Sequence, residues 1–189
     1  MMKASLDRLA QVEDIEIEWK SFELRPLNAA PMPPAQEQAY KQRIAAAWPR
    51  TRKTAQENFG VEMIHHRWGV KSRLAHEGAK FAEEKGRGDA YHDRMFKAHF
   101  IDDLDFGDLD TLADLAAEIG LDRAEFVAAL ENHTYAAAVD NDVAQAQAYG
   151  IQGVPGTIIA NKYMVSGAQP FEALEDIVRQ VKEHEAANK

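Results

Sequence analysis

Gly150-Ile151-Gln152-Gly153-Val154-Pro155-Gly156-Thr157-Ile158-Ile159-Ala160 decides the reading of this chain, because the pattern of the sequence changes within it. Gly150 stops an alanine-rich helical stretch. Val154-Pro155-Gly156 is turn chemistry, and Thr157–Ala160 is a short apolar run rich in β-branched residues, which predicts a strand. Asn161-Lys162 suits a tight hairpin turn, so Tyr163-Met164-Val165 is predicted to pair back. Gly167 breaks the chain. Gln169-Pro170 then opens a last helix whose Phe171, Leu174, Ile177, Val178 and Val181 share one face.

Upstream of this stretch, from about Ala35 to Gly150, the signals are helical. Ala35–Trp48 is helix-compatible up to Pro49, and Thr51–Asn58 continues helically to a stop at Gly60. Val61–Val70 reads as a loop. Ser72 is placed to cap a helix that runs to Lys85 and stops at Gly86. Asp89 starts the next, with Tyr91, Met95, Phe96 and His99 on one broad face. Asp108 or Asp110 starts another, ended by Gly120, and Asp122 caps a fourth with Phe126, Val127 and Leu130 inward. Thr134–Tyr149 completes the block.

The first 34 residues differ again. Met1–Val12 reads as a helix with Leu6 and Leu9 on its apolar stripe and no capping residue before it. In Ile15–Leu24, Ile15, Ile17 and Trp19 alternate with Glu16, Glu18 and Lys20, the period of a strand with one buried face. Phe22 and Leu24 fall out of phase, which predicts a bend near Lys20-Ser21. Pro26, Pro31, Pro33 and Pro34 make Arg25–Pro34 a surface connection.

Composition bounds the function. The chain has 189 residues, 46% apolar and 28% charged, which is enough to bury a core. Its formal net charge of −9 disfavours general nucleic-acid binding. No run approaches the ~20 apolar residues of a membrane span, and the N-terminus has no secretory pattern, so the expected location is cytoplasmic. There is no cysteine, which excludes disulfides, thiolate metal sites and cysteine nucleophiles from these residues.

A helix–strand opening and a strand–strand–helix ending around a helical block make up most of a thioredoxin fold. The fold class is therefore α/β: a thioredoxin-like domain of residues 1–34 and 151–189, with a large all-helical insertion at 35–150 and the first strand missing. In detail the chain resembles the DsbA-like thioredoxin family, in its FrnE and 2-hydroxychromene-2-carboxylate isomerase branch. The residues that carry the resemblance are Ile17-Glu18-Trp19-Lys20-Ser21-Phe22-Glu23-Leu24-Arg25-Pro26, Ser72-Arg73-Leu74-Ala75-His76, Gly120-Leu121-Asp122, Gly150–Pro155 and Val165-Ser166-Gly167-Ala168-Gln169. It implies a cis-proline loop at Gly153-Val154-Pro155, whose backbone meets a peptide or thiol substrate in the manner of strand addition. It also implies a strand and a Cys-x-x-Cys motif at the start of the first helix. Met1-Met2-Lys3 begins about where residues just after that motif would lie. The expectation is a translation start set too late, against a shortened form that is natural.

Other clusters read as structural. His65-His66 and His76 lack a third ligand at useful spacing, and His92 and His99 lie two turns apart on one helix, so no metal is expected. Asp102–Asp110 fails as a calcium loop: counted from Asp103, the fifth, sixth and twelfth positions are Gly107, Asp108 and Asp114. Helix capping explains it better. Arg50-Thr51-Arg52-Lys53 reads as a solvated helix start.

The functional expectation is a DsbA/FrnE-like thiol–disulfide oxidoreductase family protein whose redox dithiol is absent from this chain, with no catalytic residue of its own. One alternative is a glutathione-dependent isomerase or transferase of the same fold, with glutathione as cofactor. That class resembles kappa-class glutathione transferases in using serine in place of the first cysteine, and Ser5 lies too far into the helix to match. The other alternative is a non-catalytic module that binds a peptide or partner. A homodimer is a further expectation, because strands without a neighbour expose edges. No membrane or nucleic-acid partner is expected.

Overall fold

Alternation along Ile15–Lys20 shows how the chain is assembled. In the computed structural model, which describes residues 1–26 and 29–188, Ile15, Ile17 and Trp19 are half-buried and Glu16, Glu18 and Lys20 are exposed. The predicted face is formed. The predicted strand is not: the segment is extended, and no ladder partner lies beside it among the described residues. Ser21 is buried at the bend. Of the predicted surface connection over 25–34, residues 27 and 28 lie outside the described residues, and the rest is exposed.

The described residues form eight helices and one hairpin. α1 (Met2–Val12) precedes the extended segment. α2 (Pro34–Phe59), α3 (Arg73–Glu84), α4 (Gly88–Phe100), α5 (Leu109–Glu118), α6 (Arg123–Glu131) and α7 (Ala136–Ala148) form the helical block. β1 (Gly156–Ile159) and β2 (Tyr163–Ser166) pair antiparallel, Gly156 opposite Ser166 and Ile159 opposite Tyr163. α8 (Phe171–Ala187) closes the chain.

Several local expectations are corrected. Pro49 does not end a helix, and Arg50–Lys53 is not a helix start: α2 runs through both. Proline leaves the Ala45 carbonyl without its helical partner, but Ala45 is exposed, so water can satisfy it. The hairpin turn takes three residues, not two, with Ala160 and Asn161 both at positive φ and the Lys162 amide bonded to the Ile159 carbonyl. Among the caps, Asp108 and Asp122 accept amide hydrogen bonds from Thr111 and Glu125 as predicted, whereas Ser72 stands at the N-cap of α3 without a side-chain bond. Of the broad face predicted on α4, Tyr91 is buried whereas Phe96 is exposed.

Most of the buried apolar residues fall into two clusters. One lies within the helical block: Ala75, Ala79, Phe81, Ala82, Tyr91, Leu112, Ala113, Ala116, Leu121, Phe126 and Leu130. Alanines let these helices approach closely, and Gly78 is the limit of that approach: a Cβ there would stand 2.4 Å from the Tyr91 hydroxyl and 2.7 Å from Phe126. The other cluster joins the two ends of the chain. Met2, Leu6 and Leu9 of α1 pack on Leu174 and Val178 of α8, with Ile15, Ile17, Trp19, Ile159 and Phe171 half-buried around them.

Candidate functional site

Three glycines shape the turn that leads into β1. Gly150, at φ 73°, ends α7, a left-handed position that favours glycine. Gly153 has open space where a side chain would be. Gly156 allows a close approach, since a Cβ there would meet Ile151 Cγ2 at 3.2 Å. Between them, the Val154–Pro155 peptide is cis. The Pro155 carbonyl accepts the Gly167 amide at 2.9 Å, which fixes the turn to the end of β2. Val154 is 54% exposed, and among the described residues neither its N–H nor its C=O has a protein partner. Among the described residues β1 has a ladder neighbour on the β2 side alone. This corner thus presents a free backbone donor, a free acceptor and an apolar side chain, the equipment for pairing with an extended chain.

The extended segment is held by a seam of charges that sequence reasoning missed. The Ser21 amide donates to Asp142 Oδ2 at 2.8 Å, and Lys80 Nζ meets the same carboxylate at 2.8 Å and the Trp19 carbonyl at 3.3 Å. Lys20 lies 3.5 Å from Asp142. Arg73 contacts Glu23 and Glu77 at 3.2 Å each, Asp140 at 2.7 Å and the Ala136 carbonyl at 2.9 Å. The fully buried Glu77 also meets His133 Nδ1 at 3.2 Å. Burial opposes the charge of Lys80, but its hydrogen bonds to Asp142 and Glu83, together with the attraction of their charges, raise its pKa. Burial pushes His76 down to about 4, against a hydrogen bond to the Phe22 backbone. The Arg73/Glu77 spacing of four was the legible part of this seam. Asp142 was not, since nothing local marks it.

The remaining histidines and acids go to separate places. His92 stacks 5.0 Å from Trp19, whereas His99 lies 5.8 Å from His66. Among the described residues no group of three His, Cys, Asp or Glu side chains is arranged for a metal ion. Asp102 pairs with Arg94 and Lys97, Asp103 with Arg67, and Asp110 with Arg123. Ser5 is buried in α1. A hollow of about 530 Å³ lies between Ile17–Trp19 and the α3–α4 corner, and shares no lining residue with the 153–155 turn. None of these places gathers a nucleophile and a base. Among the described residues no helix is long and apolar enough to cross a membrane.

Residues 1–179 match the family described as DSBA-like thioredoxin domain. The Bacillus subtilis (strain 168) protein YwbO, itself described as uncharacterized, is 37% identical over 135 residues, 70% of this chain and 66% of its own length. The chain thus spans just under two-thirds of that relative. The crystal structure of a probable DsbA oxidoreductase from Streptomyces coelicolor superposes with a TM-score of 0.80 and 27% identity, over 94% of this chain and 82% of that one. A 2-hydroxychromene-2-carboxylate isomerase superposes with a TM-score of 0.78 over 100% of this chain and 92% of that one. At 19% identity this second likeness speaks for the fold alone.

Proposed function

We propose, from the premise that this chain belongs to the DSBA-like thioredoxin domain family, that it is a FrnE-like member that binds an extended peptide or thiol substrate on the backbone of Gly153-Val154-Pro155. These 189 residues supply no redox dithiol to that site. The observation that carries the reading is Val154, exposed and apolar, with both backbone groups free beside a strand edge. The absence of cysteine supports the second half, since exchange proceeds through a thiolate and no other side chain replaces it. A second copy of the chain is proposed as a further partner, because β1 and the segment Ile15–Trp19 both leave backbone groups without a ladder.

An amide-resolved NMR titration tests the site. A cysteine-free extended peptide is expected to shift the amides of Gly153, Val154 and Gly156 while α5 and α6 stay still. No shift at that turn would overturn the reading. Shifts produced by glutathione and not by peptide would favour the glutathione-dependent alternative instead. In parallel, the pure chain is expected to leave the rate of insulin reduction by dithiothreitol at the blank value. Acceleration above it would show a redox chemistry that these residues are argued not to have.

A further inference from the structure

α2 is 26 residues long, and Ala55 is its one fully buried residue. Glu37, Tyr40, Ile44, Trp48, Thr51 and Phe59 form a half-buried stripe, and the rest of the helix faces solvent except the half-buried Thr54. The helix touches α1, rests on the loop that follows it, and is met by Arg25, whose guanidinium lies 5.8 Å from the Tyr40 ring and 3.5 Å from the Trp68 ring. The Trp48 indole donates to the Ile64 carbonyl at 3.4 Å, and the Trp68 indole donates to Glu37 at 3.2 Å. Helix and loop are thereby one piece.

That loop is held in turn by the end of α4. The amides of Ile64 and His65 both bond to the Phe100 carbonyl, at 2.8 and 2.9 Å. The His66 ring lies 5.3 Å from Trp48 and 5.8 Å from His99. His99 is packed against Phe100 at 4.5 Å and Phe106 at 5.2 Å. Its Nδ1 is buried without a hydrogen-bond partner. Arg67 meets Asp103 beside the pair, Nη2 donating to the Asp103 carbonyl at 2.7 Å and Nε lying 3.3 Å from its carboxylate. The charged and titratable groups facing His99 are therefore His66 and Arg67 from the loop and Asp103 from the turn after α4. The carboxylate among them is shared with Arg67. A proton on His99 would be buried among rings, beside a neighbouring histidine and a guanidinium, with no hydrogen-bond partner in place at Nδ1.

We propose that α2 and the loop 61–68 form an arm latched to the end of α4 by the contact of His66 with His99, and that protonation of His99 in mildly acidic solution releases the arm while the helical core stays folded. Burial, and then His66, hold the His99 pKa below the ordinary histidine value. The latched state thus carries fewer protons than the released one. The latch is intact above about pH 6.5 and is lost as the pH falls toward the depressed value. Between the two, the ratio of released to latched protein rises about tenfold per pH unit for the one proton taken up.

The indole N–H resonances of Trp48 and Trp68 read this directly, because both ride on the arm. Between about pH 8 and pH 4.5 these two signals are expected to move, while the methyls of Leu112 and Leu130 in the helical core hold their positions. His99→Phe keeps a ring in the seat without a proton site and is expected to abolish the transition. His66→Phe serves as a second variant if the first does not fold, and is expected to shift the transition to lower pH. Any of three results would overturn the proposal: no movement of the arm signals, movement of arm and core signals together, or an unchanged midpoint in the variant that folds.

Discussion

Phe126 and Leu130 in the helical block are fully buried, while Ile17 and Ile159 beside α1 and α8 stay half-exposed, although all four lie on correctly patterned apolar faces. The difference lies in how helices and strands satisfy their backbones. A helix bonds its own amides, so α3 to α6 need only bring side chains together, and their alanines let them do so from every side. A strand needs a neighbour for each edge, and side chains on its face are sheltered only as far as the sheet extends. With two strands paired, the sheet side is covered by α1 and α8 and stays open at its edges.

Truncation should separate the two regions most. Phe126→Ala removes a ring packed against Phe81, Tyr91 and Gly78. It is expected to lower the free energy of unfolding by about 3–5 kcal/mol, measured by urea denaturation. The next effect sharpens the boundary between the regions, where His76 sits. His76 is neutral in the folded protein and takes up a proton at the ordinary value when unfolded. Its contribution is therefore intact above about pH 6.5 and lost as the pH falls toward 4, a loss on the order of 3 kcal/mol. His76→Gln should flatten the acid limb of stability over that window, and an unflattened limb would mean that other groups carry it. The smallest effect is on the sheet side. Ile17→Ala is expected to cost about 1 kcal/mol, since its side chain is only partly removed from water. A cost equal to that of Phe126→Ala would break the comparison, because it would mean that the sheet side is as closed as the helical block.

The sequence was legible where structure is local. The caps at Asp108 and Asp122, the glycine stops and the inward face of α8 follow from spacing alone. Alternation over Ile15–Trp19 encoded a face and an extended backbone, but a face does not name a neighbour, so the strand predicted there forms no ladder. Pro49 was read as a stop because proline removes a helix bond, and the cost of that loss depends on exposure, which spacing does not carry. The turn at Gly153-Val154-Pro155 stood out because glycine and proline punctuate it. The seam through Asp142 and the meeting of His66 with His99 did not, since each joins residues far apart in the chain with no periodic signal between them.

The packing of α1 against α8 brings Leu6 and Leu9 onto Leu174 and Val178, nearly the whole chain apart. The helical block, by contrast, joins neighbours such as α3 with α4 and α5 with α6. Local pairings close small loops and form early, whereas each doubling of loop length adds about 0.6 kcal/mol to the entropy of closure. Folding should therefore start in the helical block and finish when the two ends of the chain meet. The corner at Val154 is tied to the local hairpin through the Gly167 amide, so it should be set before the two ends of the chain meet.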